Sequence, residues 1–114
     1  MTIIAGPCVI ESPALLREVA GELARIKREL NVEIYFKASF DKANRTSLSS
    51  FRGPGIEKGI AMLEAIRGEF GLPITTDFHT PEQIAGYGHR VDMVQIPAFL
   101  CRQTDMLIEA GKTG

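Results

Sequence analysis

Leu16, Val19, Leu23, Ile26 and Leu30 recur at alternating three- and four-residue steps, the period that keeps apolar side chains on one face of an α-helix. Ser12-Pro13 stands just ahead of the stripe, a capping hydroxyl followed by a proline at the first helical position, and together they predict an amphipathic helix. Ile56, Ile60, Leu63, Ile66 and Phe70 form a second stripe that ends at Gly71 and Pro73, residues that stop a helix. The remaining apolar runs are short and β-branched or aromatic. Thr2 to Ala5 is broken by Gly6-Pro7, Glu33 to Ser39 reads EIYFKAS, Pro73 to Asp77 follows the second helix, and Met93 to Ile96 stops at Pro97. Each predicts a strand. Thr80-Pro81 opens a short helix to about Tyr87, and a last helix is expected from about Arg102 to Ala110. Strand and helix thus alternate four times. Strands separated by helices run parallel through right-handed crossovers, so the fold class is α/β.

Gly111-Lys112-Thr113-Gly114 closes no predicted element and reads as a loop leading to a fifth strand. A closed eight-fold barrel takes roughly 250 residues. Residues 1–114 are therefore expected to be the N-terminal half of one TIM-barrel catalytic domain in a truncated chain, a small open α/β sheet being the alternative.

Composition narrows the function classes. The 114 residues are 45% hydrophobic and 24% charged, the balance of an ordinary globular domain. Thirteen Lys and Arg against 14 Asp and Glu leave a net charge of -1. No global field then draws the chain to nucleic acid or a membrane, and any anion must be held locally. Apolar stretches of only a few residues give neither a membrane span nor a signal-peptide core, and a cytoplasmic location is expected. Cys8 and Cys101 lack CxxC spacing, and their thiols are expected to be reduced.

In parallel α/β proteins ligands bind at the carboxyl ends of the strands, and here those ends are polar: Gly6-Pro7-Cys8, Lys37-Ala38-Ser39, Thr75 to His79, and Gln95 to Ala98. The segment Asp41 to Ser47 (DKANRTS) gathers two cations, an amide and two hydroxyls, and Arg52-Gly53-Pro54-Gly55 leads into the next helix. Arginine forks and lysine charges match phosphate oxygens, and a glycine at a helix start leaves N–H groups open to an anion. A solvated surface loop is the plainer reading, but the segment follows a strand that carries Lys37, which favours a phosphorylated substrate. Cys8 is either a small buried residue or a thiolate ligand, with no second Cys or His at ligand spacing. His79 reads as a hydrogen-bonding partner, His89 and Arg90 as solvent-facing, and Cys101 as a packing residue. Asp77 stays open between a base, a metal-shell group and a helix-capping carboxylate.

Ala5-Gly6-Pro7-Cys8 with Glu11-Ser12, FKASFDKANRTS from Phe36, FRGPG from Phe51, ITTD with His79, and QIPAFLCRQTD from Gln95 together resemble the 3-deoxy-D-manno-octulosonate 8-phosphate synthases. The likeness spans nearly the whole chain. KANRTS separates it from the sister heptulosonate 7-phosphate synthases, whose corresponding loop looks like KPRTSP. The resemblance implies a (β/α)8 barrel, a cytosolic homotetramer, and condensation of phosphoenolpyruvate with D-arabinose 5-phosphate and water in the route to the lipopolysaccharide sugar. Carried over by motif, Lys37 and Lys42 would hold phosphoenolpyruvate with Gln95 nearby. Asn44, Arg45 and Thr46 would bind arabinose 5-phosphate, with Pro97 and Ala98 shaping the sugar slot. Arg102 would reach the sugar phosphate of a neighbouring subunit. Lys42 and Asp77 would serve catalysis at the rim. Cys8 implies the branch that uses a divalent metal (zinc, iron or manganese), its other ligands being a His, a Glu and an Asp expected beyond Gly114. Thr80 and the stretch Ile84 to Arg90 depart from the family pattern. The alternatives are a heptulosonate synthase and a non-catalytic phosphate-binding fragment.

Overall fold

In the computed structural model, which describes residues 1–43, 49 and 51–114, the first helix begins where Ser12 supplies its cap. Ser12 Oγ accepts the Leu15 N–H at 3.2 Å, and the helix ends at Asn31 in the left-handed region, φ 49°. The elements are β1 (Thr2–Ala5), α1 (Pro13–Leu30), β2 (Glu33–Lys37), α2 (Ile56–Phe70), β3 (Ile74–Asp77), α3 (Pro81–Tyr87), β4 (Met93–Gln95) and α4 (Thr104–Lys112), with 3-10 turns at Gly88–Arg90 and Ala98–Leu100.

The strands lie in the order β1-β2-β3-β4, every pair parallel. Each strand adds beside its predecessor, and right-handed crossovers then keep all the helices on one face. A doubly wound sheet would reverse its order. Registers Phe36↔Ile74 and Lys37↔Thr75, then Thr75↔Met93 and Asp77↔Gln95, sort the side chains by alternation. Ile34, Phe36 and Ile74 join Leu16, Ile60, Leu63 and Ile66 in one buried core. Tyr35, Lys37, Thr75, Asp77, Met93 and Gln95 share the opposite face. Parallel strands bring Lys37, Asp77 and Gln95, the last residues of three strands, to one end.

Several expectations shift. The buried face of α1 centres on Leu16, Ala20 and Ala24, with Val19, Leu23 and Ile26 packed at its flanks and Leu30 exposed, because small residues let the helix lie close to its neighbours. β2 stops at Lys37, and Ser39 instead forms an isolated parallel bridge with Val9. β3 starts one residue late because Pro73 has no N–H to give, although its carbonyl accepts from Phe36 N at 2.7 Å. The turn at Ala98–Leu100, with Gln103 N on Leu100 O at 3.0 Å, delays α4 to Thr104. The helix then runs on through Gly111 and Lys112, which were expected to close no element. Cys101, expected to pack, is exposed. His89 is exposed as expected, but Arg90 is not solvent-facing: it grips Glu64 through Nε and Nη2 at 3.0 and 2.7 Å and lies 5.7 Å from the Tyr87 ring centre. Among the described residues no helix is long and apolar enough to cross a membrane.

Candidate active site

Lys37 ends β2 on the face turned away from the helices, where its ammonium group meets other polar atoms. Nζ donates to Ser39 Oγ at 2.8 Å and lies 3.4 Å from Asp77 Oδ1. Ser39 Oγ in turn donates to the same Asp77 oxygen. Asp77 Oδ2 is 3.0 Å from His79 Nε2, and the His79 ring packs against Phe40 with centroids 5.8 Å apart. The β1 end presses on this group from the side. A Cβ on Gly6 would come within 2.0 Å of the Lys37 carbonyl oxygen, so only glycine fits there.

These charges are partly withdrawn from water, Lys37 being half-buried. Ser39 is fully buried and Asp77 is 7% exposed. Burial pulls the Lys37 ammonium below its usual lysine value, and the Asp77 charge partly opposes that pull. Burial alone would push the Asp77 carboxyl up, but the Ser39 and His79 hydrogen bonds and the Lys37 charge outweigh it and hold the carboxyl below its ordinary value. An ammonium group has three protons to donate. Ser39 takes one and Asp77 faces another, which leaves a donor for a ligand.

An open cleft of about 210 Å³ lies over this group. Its walls bring together six residues singled out in the sequence, Lys37, Lys42, Asp77, Gln95, Pro97 and Ala98, with Ala43, His79 and Phe99. His79 was weighed as a metal donor but not assigned as one, a hydrogen-bonding partner being the other reading, and it is such a partner. Phe99, 59% exposed, was missed because the turn that presents it has no periodic signature. Ser39 was named among the polar strand ends, but its pairing with Asp77 was missed because the two lie 38 positions apart. Two candidates are not walls of the cleft: Cys8, exposed after β1, and Arg102, exposed before α4. Asn44, Arg45 and Thr46 lie outside the described residues.

Arg52, ahead of α2, pairs with Asp41 at 2.9 and 2.8 Å. Two readings are corrected. Asp77 is not a helix cap, because Thr80 Oγ1 caps α3 by accepting from Gln83 N. Cys8 is not a buried residue. The glycine start of α2 does stand as expected, with Gly55 at φ 87° and no side-chain cap.

Among the described residues no three His, Cys, Asp or Glu side chains gather as a metal site. Cys8 is a single thiol donor, and the groups present do not by themselves fit a bound metal.

Similarity to known proteins extends over the full length of the chain. The chain is 57% identical over 113 residues to a 2-dehydro-3-deoxyphosphooctonate aldolase of Wolinella succinogenes, with 99% of this chain and 43% of that protein covered. It is 55% identical to the protein of the same name from Campylobacter jejuni subsp. jejuni serotype O:6, covering 99% and 42%. A third, from Desulfatibacillum aliphaticivorans, is 51% identical over 114 residues, covering 100% and 42%. The chain spans about two fifths of the length of these relatives. The model of the DAHP synthetase I family matches residues 1–114, and the chain belongs to that family.

Proposed function

We propose that residues 1–114 are the N-terminal half of a (β/α)8 barrel that condenses phosphoenolpyruvate with D-arabinose 5-phosphate and water, giving 3-deoxy-D-manno-octulosonate 8-phosphate and inorganic phosphate. The observation that carries the reading is the cleft at the strand ends, where Lys37 and Lys42 stand together with Asp77, Gln95 and Pro97. The relatives' name, 2-dehydro-3-deoxyphosphooctonate aldolase, denotes an enzyme of the same eight-carbon sugar acid phosphate.

Lys37 and Lys42 hold the carboxylate and phosphate of phosphoenolpyruvate, with Gln95 beside them. Asn44, Arg45 and Thr46 take arabinose 5-phosphate, and Pro97 and Ala98 bound its slot. Two anionic substrates repel each other in water, so fixed cations that hold both at bonding distance lower the barrier by orientation and charge compensation. The enol carbon C3 bonds to the aldehyde carbon, and the carbonyl oxygen becomes a hydroxyl by taking a proton. Positive charge developing at C2 is captured by water, which releases a proton. The resulting hemiketal phosphate breaks its C2–O bond, leaving a ketone and inorganic phosphate. Asp77 accepts from Ser39 and His79 beside the Lys37 charge, and in this role it keeps Lys37 charged while Lys42 faces the substrate.

Cys8 would supply one thiolate to a divalent metal (zinc, iron or manganese), the remaining ligands lying outside residues 1–114. When bound, such a metal would supply Lewis acidity to the reaction. Arg102, exposed before α4, reaches the sugar phosphate of a neighbouring subunit in a cytoplasmic homotetramer.

Phosphate release by the full-length protein tests the reading. Turnover with phosphoenolpyruvate and arabinose 5-phosphate, and little with erythrose 4-phosphate, is expected. The family model is described by the heptulosonate product, and the reverse preference establishes that sister activity instead. No release with either sugar sinks both.

A further inference from the structure

Arg52 and Asp41 are not among the cleft walls, yet they form the most directional ion pair near it. Arg52 Nε donates to Asp41 Oδ1 at 2.9 Å and Nη2 to Oδ2 at 2.8 Å. One N–H meets each oxygen, the parallel fork that fixes geometry as well as charge. Arg52 is exposed and Asp41 half-buried, and the two stand eleven positions apart. The backbone holds the neighbouring residues together without them. Gly55 N donates to Phe40 O at 3.1 Å, and a Cβ on Gly53 would come within 2.2 Å of that same oxygen. Phe40 itself is buried. The chain therefore leaves the core at Phe40 and returns to it at Gly53, and the Asp41–Arg52 fork closes the next step outward on both sides.

We propose that Arg52 is a positioning residue for the sugar phosphate: its fork on Asp41 staples the two ends of the intervening segment, so that Asn44, Arg45 and Thr46 are presented to arabinose 5-phosphate from a fixed base. Without the staple, binding must itself order those residues, a cost that the fork removes in advance. Lys42 follows closely on the anchored Phe40 and depends on the staple less, whereas Asn44 to Thr46 lie farther from that anchor. The proposal rests on the reading of this segment as the arabinose 5-phosphate site.

The test uses the full-length protein with Arg52→Gln, Asp41→Asn, the two combined, Arg52→Lys and Arg45→Ala. Arg45→Ala examines the underlying reading: if it leaves the KM for arabinose 5-phosphate unchanged, the segment is not the sugar site, and the proposal falls with that reading. Given an effect there, Arg52→Gln and Asp41→Asn are each expected to raise this KM about three- to fivefold, the upper range of an exposed ion pair. The double variant should be no worse than either single one, because one shared contact is lost only once. The KM for phosphoenolpyruvate, kcat and the melting temperature should change little, since the backbone contacts at Phe40 remain. Arg52→Lys keeps the charge without the fork and should recover only part of the loss. A rise with Arg52→Gln but none with Asp41→Asn means that Arg52 meets the substrate itself and overturns the proposal. Effects of opposite sign, or full recovery with Lys, show that charge alone acts, and overturn it equally. So do effects that multiply in the double variant, equal rises in both KM values with a lower melting temperature, or no change in any variant of the pair.

Discussion

Asp77 faces three donors, with Ser39 and Lys37 at one oxygen and His79 at the other. A carboxylate so engaged is an anchor for charge and a weak proton acceptor. Because its folded pKa lies below the ordinary 3.8, the stability it contributes is present above that value and is lost as pH falls through the folded value. Asp77→Asn leaves the half-buried Lys37 charge without its partner. It is expected to cost roughly 1–3 kcal/mol near neutral pH and to flatten the decline of melting temperature below about pH 4, measured by thermal melts across pH. A variant whose acid decline is as steep as the wild type's would show that Asp77 is not the group responsible. At this scale the sequence was legible where position alone was informative: a lysine closing an apolar strand and an aspartate closing another both pointed to the rim. The Ser39–Asp77 contact was not legible, because the pairing of β2 with β3 decides it and no local spacing encodes that register.

The elements themselves were written plainly in period and punctuation. The cap at Ser12, the stop at Gly71 and the alternation of helices with strands each have a local physical cause, and each stands within a residue or two of its expected place. The faces were less legible. The large residues of α1 formed the obvious stripe, but the close contact runs through Ala20 and Ala24, since the distance to the neighbouring layer favours small side chains. Nor did the stretch Ile84 to Arg90 announce that it would tie α3 to α2, where Tyr87 Oη donates to Glu57 at 2.8 Å and Arg90 grips Glu64. Close approach also fixes the β1 end. Gly6→Ala would drive a methyl group into the Lys37 carbonyl, so that β1 must shift against β2, at a cost of roughly 1–3 kcal/mol. Thermal unfolding measures that loss. An unchanged melting temperature would mean that β1 can move aside freely.

The whole molecule is a sheet with one face covered by helices and the other lined by Tyr35, Lys37, Thr75, Asp77 and Gln95, with Ile4 53% exposed at the β1 edge. In the proposed function Cys8 is one donor of a metal site completed outside residues 1–114. Cys8→Ala is expected to lower the metal content of the purified full-length protein by at least about tenfold without altering its melting in a chelator. Unaltered metal would remove Cys8 from the ligand set.

Each strand pairs with the one synthesised just before it, so the order β1-β2-β3-β4 is also a timetable on the ribosome. Lys37 emerges forty residues before Asp77, and until then its charge can stay in water at the open edge of β2. Docking of β3 buries the cation and delivers its carboxylate in the same step. The cation thus meets its carboxylate in the same step that draws it from water, before β4 adds Gln95 to the cleft.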